Sequence, residues 1–134
     1  MKVIRLFASL LWGLAIASCS NSLDPDTRSV AGTYALESAT TRGPATGRFV
    51  LTSNAQAERR VRYRQGDGTL LKEQVAVGTF SVGSKDALEL SLREDGGASP
   101  YVWKVAATLT GGVLRIEYPN PADGPNIVEL YRRQ

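Results

Sequence analysis

The sequence predicts an all-β domain, a small antiparallel up-and-down barrel of about eight strands. Three observations carry this. Apolar residues recur with period two in about eight segments between Thr33 and Leu130, and helical spacing is scarce. The breaks between segments are turn chemistry: Gly66-Asp67-Gly68, Gly83-Ser84-Lys85-Asp86, Asp95-Gly96-Gly97 and Thr110-Gly111-Gly112. Connections this short join antiparallel neighbours, because a parallel crossover needs about a dozen residues or more.

Taken in order, residues 1–18 read as an export signal. Lys2 and Arg5 give a positive start, Leu6 to Ala17 is apolar except for Ser9 and Gly13, and small residues precede Cys19. The apolar stretch is about twelve residues long, against the roughly 20 that span a bilayer as a helix. Ile16-Ala17-Ser18-Cys19 resembles the lipobox of bacterial lipoproteins. That resemblance implies cleavage before Cys19 and acylation of its thiol. Several acyl chains, at about 0.8 kcal/mol per buried CH₂, form a durable anchor without a spanning helix. The alternative is an ordinary secretory signal with a coincidental cysteine. In the lipoproteins this segment resembles, Asp after the cysteine favours the inner membrane. Ser20 stands there instead, which implies the outer membrane, facing the periplasm. Residues 19–30 are mostly polar and read as a flexible tether, with order beginning near Val30.

Residues 31–134 supply the strands. Tyr34 and Leu36 share a face, as do Phe49 and Leu51. Asn54 to Arg59 reads as loop. Arg60-Val61-Arg62-Tyr63-Arg64 then alternates strictly, with its three arginines on one face. Val75 and Val77, Phe80 and Val82, and Leu88, Leu90 and Leu92 follow. Tyr101, Trp103, Val105, Ala107 and Leu109 form the longest stripe, before Leu114, Ile116 and Tyr118 and finally Val128 and Leu130. Each strand has one apolar face to bury, and closing the sheet removes the edges that invite aggregation. About a hundred residues is short for a roomy cup, so a mostly filled interior is expected.

Composition narrows the chemistry. The 134 residues suggest one domain. Of the 16 basic residues, Lys2 and Arg5 lie in the signal, leaving 14 against 13 acidic, so the formal +3 does not argue for nucleic-acid binding. With no histidine and one cysteine, Ser-His and Cys-His nucleophiles and the usual zinc sites are excluded, and an internal disulfide is impossible. No metal or cofactor is expected. Glu89, Glu117 and Glu129 each fall between apolar strand residues, so alternation points all three to solvent rather than into an acid/base pair. The reading is therefore not an enzyme.

Gly32-Thr33-Tyr34 opens the first strand and Arg132-Arg133 ends the last. This resembles lipocalins and related calycin barrels, where Gly-x-Trp begins the first strand and a terminal Arg packs over that aromatic. Gly78-Thr79-Phe80 is a second unit of the kind found in small bacterial lipocalin-like lipoproteins. Tyr34 stands in place of the Trp, and no second or third lipocalin motif is evident. The resemblance implies a ligand carrier, an inhibitor or an envelope factor.

Candidate ligand-binding residues are Tyr34, Tyr63, Tyr101 and Trp103, aromatic surface suited to a small apolar ligand or lipid and equally to core packing. Candidate partner-facing residues are Arg60, Arg62 and Arg64, continuing from Arg59 as a basic strip for anionic lipid or an acidic protein, or simply a solvated strand face. Pro119 to Pro125 is a stiff loop carrying three prolines, suited to docking or to joining the last two strands. Two functions follow: a lipid-anchored, non-catalytic binding barrel, or a protein–protein module such as an inhibitor or envelope assembly factor.

Overall fold

The computed structural model describes residues 25–41, 43–95, 102–120 and 122–134. The expected signal peptide, Cys19 and Tyr101 lie outside them. A short helix, α1 (Pro25–Val30), precedes eight strands: β1 (Gly32–Ala39), β2 (Ala45–Leu51), β3 (Gln56–Arg64), β4 (Leu70–Val82), β5 (Ala87–Glu94), β6 (Val102–Thr110), β7 (Val113–Tyr118) and β8 (Ile127–Arg133). They form one closed antiparallel barrel in sequence order, with β8 returning to β1. The β6–β7 hairpin shows how local chemistry sets the path: Gly111 and Gly112 both take positive φ, which a two-residue turn of matching twist requires.

Alternation fills the interior. Tyr34, Phe49, Val61, Leu88, Leu90, Leu92, Leu114, Ile116 and Tyr131 are at most 2 % exposed. Outside, the wall carries charge: Arg48, Arg62, Glu89, Arg93, Lys104, Arg115 and Arg132 are exposed. A wall so charged faces water rather than lipid. No helix among the described residues is long and apolar enough to cross a membrane.

Order begins earlier than the tether reading placed it. Residues 25–30 are helical, with Thr27 and Val30 buried against the lower end of the barrel, where β1 starts and β8 finishes. Three carbonyls at the end of α1 meet donors from the barrel's terminal strands. Tyr34 Oη donates to Val30 O at 2.6 Å, and Arg133 donates to Ser29 O at 3.2 Å and Ala31 O at 2.6 Å. The Arg133 guanidinium also lies 5.9 Å over the Tyr34 ring. Burial pushes the Tyr34 hydroxyl pKa up, partly opposed by the Arg133 charge, so the phenol stays a donor at ordinary pH. Tyr34→Phe is expected to cost about 1–2 kcal/mol by orphaning a buried carbonyl. Urea melts of the pair measure this, and amide exchange in residues 26–30 should quicken alongside.

The upper half is less closed than the lower. Pairing of β1 with β2 runs only from Gly32 opposite Leu51 to Ala35 opposite Arg48. Pairing of β6 with β7 runs only from Thr110 opposite Val113 to Ala107 opposite Ile116. Above those points the wall divides into two leaves, β7-β8-β1 and β2 through β6, each still paired internally.

Candidate functional site

Two expectations reverse where the leaves part. Arg59 is not in the loop or on the basic strip. It lies within β3, which begins at Gln56, and points inward with Ala57, Val61 and Tyr63. Glu129 does not face solvent. It points inward beside Tyr131, while Val128 and Leu130 occupy the outer face of β8. Arg59 is 1 % exposed and Glu129 fully buried. Glu89 and Glu117 do lie on the outer face as expected.

The two reversed residues meet. Arg59 Nε donates to Glu129 Oε2 at 2.8 Å, and Nη2 donates to Oε1. Arg59 Nη1 donates to Gln74 Oε1 at 2.9 Å, and Nη2 also to Tyr63 Oη at 2.8 Å. The carboxylate takes further hydrogens from Tyr118 Oη at 2.7 Å and Tyr131 Oη at 2.6 Å. Both carboxylate oxygens thus have two good donors, which a buried charge needs to be tolerated. Burial pushes the Glu129 carboxyl pKa up. The Arg59 hydrogen bonds and charge, with the two tyrosine hydroxyls, outweigh that and hold it below the usual glutamate value. Burial and the facing carboxylate raise the Tyr118 and Tyr131 hydroxyls well above the ordinary phenol value, so both remain donors.

This cluster joins the leaves. Arg59, Tyr63 and Gln74 come from β3 and β4, and Glu129, Tyr118 and Tyr131 from β7 and β8. Beside it, Trp103 of β6 stacks on Tyr118 of β7 at 5.9 Å and 26°. Side chains bridge where the backbone ladder stops.

Of the expected ligand-binding residues, Tyr63 and Trp103 gather at this upper mouth, half-buried. Tyr34 is at the opposite end, fully buried and bonded to α1. The place an apolar ligand would take between them is occupied by core side chains and the ion pair. A surface depression of about 490 Å³ lies instead on the outside of β4–β6, lined among others by Thr79, Ser81, Ser91 and Lys104.

The basic strip is largely neutralised. Arg60 pairs with Glu73 at 2.9 Å and Glu58 at 3.5 Å, Arg62 with Glu73 at 2.5 Å, and Arg64 donates to Gly68 O. Three large apolar side chains are also left exposed: Leu70 and Leu71, on the β3–β4 hairpin, and Val102 at the start of β6, at 49 %, 55 % and 45 %. All three are at the upper end. Gln74, Tyr118, Tyr131 and the inward pair are the residues that sequence reasoning missed. The available signal was phase: Arg59 alternates with Val61 and Tyr63, and Glu129 with Tyr131.

Comparison of the chain with protein-family models, curated proteins and solved structures finds no match.

Proposed function

We propose that the chain is a lipid-anchored, non-catalytic envelope protein whose barrel is a protein-interaction module working at its upper end. The observation that carries this reading is the exposure of Leu70, Leu71 and Val102 at the end opposite α1, above an interior closed by its own side chains. An exposed apolar pair such as Leu70 and Leu71 is a candidate contact surface, and Val102 is a further exposed apolar side chain toward the same end. An anchor at Cys19 would enter the barrel through α1, at the lower end. Five residues lie between Cys19 and Pro25, and the six steps of chain, at about 3.3–3.6 Å each, reach roughly 20 Å at full extension. The upper end then faces away from the bilayer, toward soluble or opposing envelope proteins.

The test is site-specific photocrosslinking in the native envelope, with a benzophenone amino acid in place of Leu71 and, as control, of Arg28 at the lower end. A protein adduct from position 71, absent from position 28, is expected. Lipid adducts from position 71, or none at all, would overturn the reading.

A further inference from the structure

One strand edge at the upper end is left open by the sequence itself. In the β6–β7 ladder Leu109 faces Leu114 and Ala107 faces Ile116. Each step up β6 is a step forward along β7, so Ala106 would face Glu117, Lys104 would face Pro119 and Val102 would face Pro121. Among the described residues the pairings of Ala106 and Lys104 are not made, and β7 ends at Tyr118. Leu109 N–H donates to Asp86 O on the β5 side, so by alternation Ala106, Lys104 and Val102 turn their N–H and C=O groups toward β7. The β7 positions that would supply ladder donors to Lys104 and Val102 are prolines, which have no N–H. The stiff loop after β7 thus has a structural effect beyond joining two strands: its prolines offer Lys104 and Val102 no ladder donor, and Ala106, which would face Glu117, has no ladder partner on that side among the described residues either. β6 itself stays extended there, because its pairing with β5 continues to Val102 opposite Arg93.

We propose that this edge, Val102 to Ala106, is a docking site for an extended acidic segment of a partner protein, added as a further strand. The proposal rests on the reading of the upper end as the contact end. Main-chain pairing with Val102, Lys104 and Ala106 supplies the attachment. Charge selects the partner. Lys104 is exposed and, unlike Arg59, Arg60 and Arg62 of β3, has no acidic partner among the described residues. A carboxylate opposite Lys104 and an apolar side chain opposite Val102 complete the fit.

The experiment follows backbone amide exchange by NMR in the lipid-free mature protein. The probes are two synthetic hexapeptides, one alternating glutamate with valine and one alternating lysine with valine. At about 1 mM the acidic peptide is expected to slow exchange of Val102, Lys104 and Ala106 about tenfold, and the basic peptide to leave them unchanged. Lys104→Glu should exchange the two preferences. Pro119→Val with Pro121→Val should let β7 extend, protect the same amides without peptide and abolish binding.

Four results would overturn the proposal: fast exchange at all three amides with either peptide, equal protection by both, protection already present in the free wild-type monomer, or protection that grows with protein concentration. The last would assign the edge to a second copy of this chain. A protein crosslink at position 71 with no peptide protection would sink the strand-addition model and leave the interaction module standing.

Discussion

Glu129→Leu is expected to lower the unfolding free energy by about 3–5 kcal/mol, because it strands the Arg59 guanidinium in the barrel interior without its counter-charge. Arg59→Met should cost a similar amount for the mirror-image reason. The double variant should recover much of the loss, since removing both charges together abolishes the uncompensated ion. Recovery will be incomplete, because Tyr118 and Tyr131 lose the carboxylate that accepts their hydrogens. Denaturant melts of the four proteins close the double-mutant cycle. Strictly additive single losses would show that the pair does not act as a unit. Solution pH offers a second view. The folded Glu129 carboxyl sits below its ordinary pKa, so its contribution is fully present above the unfolded value of about 4.3. It is lost as pH falls through the folded value, and Glu129→Leu should flatten that part of the acid unfolding curve.

The second large effect is expected at Gly78. A Cβ there would lie 1.8 Å from the Ser91 carbonyl oxygen and 3.0 Å from Leu92 Cα, both backbone atoms of the neighbouring strand. Neither can yield without breaking the β4–β5 ladder, in which Gly78 faces Leu92. Gly78→Ala should therefore cost about 3 kcal/mol or more, at the upper end of what overpacking does. Gly66→Ala is the matched control, since nothing lies within 4 Å of its would-be Cβ. A change within about 0.5 kcal/mol is expected there. Thermal melts showing equal losses would refute the packing account of Gly78.

The barrel was legible because alternation and turn chemistry are local, and β5, β6 and β7 kept their apolar stripes inward. In β4 Phe80 and Val82 did so, but Val75 and Val77, expected to share an apolar face, lie opposite Arg60 and Glu58 on the outside, and Ala76 takes the inward place. The inward ion pair was not legible. Arg59 sits beside Arg60, and Glu129 sits between Val128 and Leu130, so each read alone belongs to solvent. They are tolerable inside only because they meet, 70 residues apart in sequence. No window of local pattern contains both halves of that condition. The same limit hid Gln74 and Tyr118, whose roles depend on which strands face one another. In β8 the wrong face was chosen for a further reason: Leu130 is a better hydrophobe than Glu129, but Tyr131 and the end-closing Arg133 share the phase of Glu129 and fix it inward. The two leaves were likewise beyond reach, since a ladder that stops early changes register rather than composition.

The contacts of α1 bear on how the domain responds to being pulled. Tension applied to the chain ahead of Pro25 is not delivered to β1 alone. Arg133 holds the last turn from β8 and Tyr34 holds it from β1, so the force enters the two strands that close the barrel together. Those strands pair antiparallel through five register positions, from Tyr34 opposite Arg133 to Ala39 opposite Glu129. A leading edge that would peel one hydrogen bond at a time is thus clamped to its neighbour, and rupture has to break several bonds at once. The residue that closes the floor of the barrel also spreads a pull on α1 over both strands that meet there.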